Sequence, residues 1–148
     1  MYGIIATWRM ALEGISKADS MLKNNESAAN SIEEAIKAVE NFEYYKSVGY
    51  GGLPNEEMEV ELDAAFMDGD TLEFGCVGGV KDFANPVSIA RSLMHYDANN
   101  FLVGQGAEKY ASRHGFERKT MLTDRAKIHY HNRTKEITNT ELKPYSGH

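Results

Sequence analysis

The sequence predicts an α+β layered fold in which helices cover a mainly antiparallel sheet. Three observations carry that expectation. Apolar residues recur at spacings of three and four through two early segments, as amphipathic helices require. Near the middle, a run of two-residue alternation turns back on itself, as a half-buried hairpin does. Beyond it, helix-like and strand-like segments alternate.

The element order follows from these patterns. "YGIIAT" at residues 2–7 is a short apolar run with β-branched residues and reads as a buried strand. Ala11, Ile15, Ala18 and Leu22 share one helical face. "NNES" then supplies a polar break with cap candidates for a second helix, which carries Ala28, Ile32, Ala35, Ile36 and Val39 on its buried side. The glycine-rich "SVGYGGLPN" is a shaped loop. Met58, Val60, Leu62, Ala64 and Phe66 then point one way, while Glu57, Glu59, Glu61 and Asp63 begin the other face. Asp68-Gly69 marks the hairpin, and Leu72, Phe74 and Cys76 resume the alternation. "NPVSIARSLMHYD" reads as a helix with Asn85 as cap and Pro86 in its first turn, where a missing N–H costs little. "NNFLVG" is a strand, and "GAEKYASRHG" a short helix stopped by Gly115. "TDRAKIHYHNR" is a last helix, and residues 134–148 read as a flexible polar connector.

Composition narrows the function classes. The 148 residues suit a single domain. A formal charge of −6 argues against a nucleic-acid partner, which would need a basic face. No apolar run is long enough to cross a bilayer, so no membrane partner is expected. One cysteine, Cys76, excludes an internal disulfide framework. A cytoplasmic location is then the simplest reading for a bacterial chain. A lysosomal, periplasmic or secreted location stays open.

No residue set announces catalysis by itself. His129 and His131 lie two apart, which on a helix turns them about 200° from each other, and no further ligands cluster nearby, so no metal site is expected. "FLVGQGAEKYA" has the strand–glycine–helix look of a dinucleotide turn, but Lys109 stands where the third glycine belongs. A tight strand-to-helix connection accounts for it better, and no cofactor is expected. Cys76 reads as an inert buried thiol. Asp63, Asp68 and Asp70 gather where hairpin turns favour aspartate. The glycines of residues 47–52 leave two readings open: close approach to a ligand or another chain, or a tight crossover from helix to strand.

In order and at family-like spacing, "ATW", "SVGYGG", "LDAAFMDG", "NPVSIAR", "FLVGQGAEKYA" and "HGFERKTMLT" resemble the N-terminal portion of glycosylasparaginases. These belong to the N-terminal-nucleophile hydrolases, in the group that also holds isoaspartyl peptidases and plant-type asparaginases. The resemblance implies a four-layer αββα sandwich, with residues 1–148 as its α chain and a separate β chain completing it in an (αβ)2 assembly. It implies a precursor that cuts its own backbone before a threonine, within a segment typically reading Gly-His-Asp-Thr. Gly147 and His148 match the first two positions, so the chain is expected to stop a single residue short of the Asp-Thr junction.

By the same resemblance, the catalytic threonine lies on the β chain and none of the catalytic set lies here. Trp8 matches a tryptophan at the mouth of the site, the alternative being a core aromatic after the first strand. Ser47 matches a serine whose hydroxyl lies close to the nucleophile. Plant-type and isoaspartyl enzymes tend to carry Asn-Ala-Gly-x-Gly at this place, so Ser47 favours the glycosylasparaginase branch. The implied reaction is hydrolysis of the amide joining N-acetylglucosamine to asparagine, releasing aspartate. An isoaspartyl peptidase or plant-type asparaginase subunit is the alternative. A small-molecule or nucleotide-binding module built on "VGQGAEK" is the reading from another class.

Overall fold

The computed structural model describes residues 1–139. Gly147 and His148, the expected processing junction, lie outside the described residues. A 3-10 turn at Arg9–Ala11 opens into α1 (Leu12–Lys23), followed by α2 (Ala28–Glu40). Ser27 caps α2, its side chain accepting from the Asn30 N–H at 3.1 Å. The two helices cross so closely that a Cβ on Gly14 would fall 2.4 Å from the Ala35 carbonyl oxygen. Small residues thus make this contact, with Gly14, Ala18 and Ser31 buried. The longer apolar residues expected to be buried, Ile15, Leu22, Ile32 and Ile36, line an open groove instead.

Residues 2–7 do not form the expected strand. They lie beside α1 and α2 without assigned secondary structure, with Ile5 95% exposed. An apolar β-branched run becomes a strand only when another strand offers it hydrogen bonds, and none of the described strands lies beside it.

β1 (Glu61–Met67) and β2 (Phe74–Lys81) form the antiparallel hairpin, and β3 (Phe101–Val103) joins β2 in parallel after α3 (Pro86–Leu93). The sheet is therefore mixed, in the order β1-β2-β3. The register carries a bulge opposite Asp63, where two residues of β2, Gly78 and Gly79, face one of β1. Gly79 takes φ +60°, and its N–H donates to Asp63 Oδ1 at 2.8 Å. α3 and α4 (Gly104–Arg113) cover one face of the sheet, with Phe66, Val77, Val80, Ile89, Leu93 and Tyr110 in the core. α3 lies directly on β2 at Gly75, where a Cβ would meet the Ala90 carbonyl oxygen at 2.0 Å.

The returning strand buries Gly75 and Val77, not Phe74 and Cys76. The reason lies in the pairing. Residues 68–73 connect the strands, closed by the Asp68 N–H on the Glu73 carbonyl at 2.9 Å, and facing residues of a hairpin share a side. Phe74 pairs with Met67 and Cys76 with Ala65, on the side opposite Phe66, so they sit on the outer face with Phe101 and Val103. That face is apolar and open, Phe101 being 55% and Val103 60% exposed.

Thr123 starts α5 (Asp124–Asn139) by accepting the Ala126 N–H on Oγ1 at 3.2 Å. The helix runs past its expected end, so residues 134–139 are helical where a connector was expected. The apolar stripe is only one support of a helix. Backbone hydrogen bonding and straight-chain residues such as Lys135 and Glu136 sustain it without one.

Candidate functional site

A cleft of about 400 Å³ opens between the end of α2, the glycine loop, β1 and the start of α3. Ile36, Val39 and Glu40 form one side, Ser47 and Gly49 the floor of the loop, and Glu61 to Ala65 of the edge strand the opposite wall. A second groove of about 290 Å³ holds Trp8 and shares Ile36 and Val39 with the first. The two residues singled out from sequence, Trp8 and Ser47, thus flank one ridge of α2. Trp8 is 69% exposed and belongs to no core within the described residues. Its carbonyl accepts the Ala11 N–H at 3.0 Å, which fixes its backbone at the head of the 3-10 turn.

The loop that carries Ser47 is held by backbone bonds. The Leu53 N–H donates to the Lys46 carbonyl at 2.9 Å, the Gly52 N–H to Gly49 at 3.1 Å, and the Tyr50 N–H to Glu40 at 2.7 Å. Gly49 at φ +61° presses so close to α2 that a Cβ would fall 2.0 Å from the Glu40 carbonyl oxygen. Gly51 does the same against Glu43, with 2.5 Å to its carbonyl oxygen. These two glycines are required by the crossover itself. Ser47 remains exposed on the cleft side.

Glu40 was not singled out from the sequence, and it is the most unusual carboxylate here. It is 6% exposed, its Oε1 accepts the Val87 N–H and its Oε2 accepts the Asn85 amide, both at 3.1 Å. Burial pushes its pKa up to about 7 against these two hydrogen bonds, with Glu33 adding to the rise and Lys37 opposing it. Asn85, expected to cap α3, sits at φ 50° and makes no side-chain cap bond. Glu40 takes over that role from another helix.

The remaining candidates resolve into local structure. Asp68 Oδ1 accepts the N–H groups of Asp70 and Thr71 at 2.8 and 3.2 Å, a turn arrangement. Asp63 pins the bulge. Gly104 takes φ +47° in a direct passage from β3 to α4, the tight connection expected there. His129 stands near Lys46 and Arg133, and partial burial followed by the charges of Lys46 and Arg125 lowers its pKa.

A mixed sheet under two helices thus sets a serine-bearing glycine loop beside its edge strand. The chain belongs to the family described as Asparaginase, whose profile matches residues 6–146. It is 38% identical over 124 residues to the isoaspartyl peptidase/L-asparaginase of Rattus norvegicus, covering 79% of this chain and 37% of that protein. It is 33% identical over 120 residues to the N(4)-(β-N-acetylglucosaminyl)-L-asparaginase of Elizabethkingia miricola, covering 81% of this chain and 35% of that protein. The chain spans roughly a third of the length of these curated relatives. Among the described residues no helix is long and apolar enough to cross a membrane.

Proposed function

We propose that this chain is the α subunit of a self-processed threonine amidohydrolase that cleaves the amide between N-acetylglucosamine and the asparagine side chain. The observation that carries this reading is Ser47 on its glycine loop, open to a cleft beside an edge strand, in a chain of the asparaginase family. A second polypeptide supplies the nucleophile. Its N-terminal threonine hydroxyl attacks the amide carbonyl, and the threonine's own amine, with an ordinary pKa of about 8, takes the proton. Loss of the amino-sugar leaves an ester on the threonine, and water hydrolyses it to aspartate. In the precursor the same hydroxyl attacks the preceding carbonyl, the peptide C–N bond breaks to free the threonine amine, and water then hydrolyses the resulting ester to a carboxylate and the free hydroxyl. Here Ser47 supports the nucleophile and Trp8 walls the substrate, while Gly147 and His148 match the Gly-His that precedes the Asp-Thr self-cut.

The companion chain also completes the fold. The open sheet face around Phe74, Phe101 and Val103 packs on a second sheet, giving the αββα sandwich and an (αβ)2 assembly. Two findings support this. A lone domain does not leave such a contiguous apolar face in water, and the relatives are about three times as long as this chain. Residues 2–7 find their strand partner there.

A second reading is an isoaspartyl peptidase or plant-type asparaginase subunit, favoured by the name of the rat relative. Rates on N-acetylglucosaminyl-asparagine and on a β-aspartyl dipeptide separate the two. A higher kcat/KM for the glycosylated substrate supports the first reading, and the reverse order replaces it with the second.

A further inference from the structure

We infer that Glu40 is a positioning residue: its buried carboxylate ties the end of α2 to the start of α3 and thereby sets where the glycine loop holds Ser47. The inference deepens the proposed function and rests on its reading of Ser47 as support for the nucleophile.

The side chain and backbone of Glu40 act in opposite directions along one path. On the α3 side, Oε1 receives the Val87 N–H and Oε2 the Asn85 amide, each at 3.1 Å. The same amide reaches Asn41 Oδ1 at 3.1 Å, so Asn85 bridges two successive residues at the end of α2. On the loop side, the Glu40 carbonyl receives the Tyr50 N–H at 2.7 Å, the shortest of the loop's anchoring bonds. Gly49 is packed on that same oxygen without room for a Cβ. Ser47 lies between this anchor and the second one, the Leu53 N–H on the Lys46 carbonyl. The Gly51 N–H ties the loop elsewhere, to the Met121 carbonyl at 2.9 Å, so a shift of Glu40 toward or away from α3 moves one anchor of the loop and leaves that one in place. Ser47 and Glu40 line the same cleft.

The chemistry of the grip gives the test. Both carboxylate oxygens of Glu40 face donors. In Glu40→Leu the side chain offers no acceptor, so the Val87 N–H and the Asn85 amide both lose their partner. In the double variant Glu40→Gln/Asn85→Asp, the introduced amide donates to the introduced carboxylate, while the oxygen beside it keeps the Val87 N–H. Asn41 turns its amide to donate as well. The pairing is restored with the roles reversed.

The experiment uses the processed two-chain enzyme expressed from the full-length precursor, with kcat and KM measured per mole of processed protein on N-acetylglucosaminyl-asparagine. Glu40→Leu is expected to lower kcat by about tenfold or more with KM little changed, as misplacement of a supporting group does. The double variant is expected to stay close to the unaltered enzyme. Should Glu40→Leu yield no processed enzyme, Asn85→Ala, which deletes one donor and keeps the carboxylate, is expected to lower kcat in the same manner. An unchanged kcat in Glu40→Leu, or in Asn85→Ala where that variant stands in, overturns the inference, as does a double variant no better than the single. A Ser47→Ala arm separates the two layers. If it lowers kcat while Glu40→Leu does not, only the inference fails. If Ser47→Ala has no effect, the reading of Ser47 fails.

Discussion

Replacing glycines at three positions separates two costs that the structure combines in the Ser47 loop. Gly79→Ala places a side chain at φ +60° with nothing within 4 Å, so only the left-handed backbone opposes it, at about 1 kcal/mol. Gly75→Ala has no such backbone demand, but its Cβ would sit 2.0 Å from the Ala90 carbonyl oxygen and 2.8 Å from the Met94 nitrogen. Relieving that overlap means moving α3 off the sheet, at roughly 3 kcal/mol. Gly49→Ala carries both costs, with φ +61°, 2.0 Å to the Glu40 carbonyl oxygen and 2.5 Å to the Glu40 Cα. The two together come to roughly 4 kcal/mol. Urea midpoints of the three variants, followed by far-ultraviolet circular dichroism, should fall in the order Gly79→Ala, Gly75→Ala, Gly49→Ala, the last being lowest. A Gly49→Ala midpoint no lower than that of Gly79→Ala would refute the packing of the loop on α2.

Four further outcomes are expected. Glu40 has its pKa raised from 4.5 to about 7, so between those values the folded protein holds a proton that the unfolded chain has released. Its contribution is fully present below pH 4.5 and is lost as pH rises through 7, at most about 3 kcal/mol. Urea midpoints at pH 5 and 8 should therefore differ less in Glu40→Gln than in the unaltered protein, and an equal difference contradicts the assignment. Ser47→Ala should lower kcat at least tenfold, a loss of about 1.4 kcal/mol in transition-state stabilisation, with KM nearly constant. Arg91 forks between Glu33 and Asn30 across α2 and α3, so Arg91→Lys should destabilise by about 1–2 kcal/mol, read as a lower urea midpoint. Phe101→Glu puts a charge on the open sheet face and should abolish co-purification of the companion chain. Normal assembly of that variant would remove the proposed sheet-on-sheet contact.

Much of the architecture was legible because it depends on local signals. Ser27 caps α2 as a serine before an apolar stripe should, Val60, Leu62 and Phe66 alternate inward, and Gly115 ends its helix at φ +76°. What stayed hidden depends on distant chain. Residues 2–7 have the composition of a strand, but composition cannot supply the neighbouring strand that would pair with them. Phe74 and Cys76 follow the expected period, yet their pairing with Met67 and Ala65 puts them on the outer face. Glu40 reads as one more surface glutamate at a helix end. Only the fold brings Asn85 and Val87, forty-five and forty-seven residues on, against its carboxylate. Trp8 and Ser47 were found through the resemblance, since an exposed tryptophan and a loop serine carry no pattern of their own.

The central claim is that the reactive hydroxyl belongs to a second polypeptide released from the same precursor. N-terminal sequencing and intact-mass analysis of the protein purified from the full-length precursor test it most directly. The account predicts a co-purifying chain that begins with threonine, and amide hydrolysis only when that chain is present. Hydrolysis at an enzyme-like rate by this chain alone would contradict it.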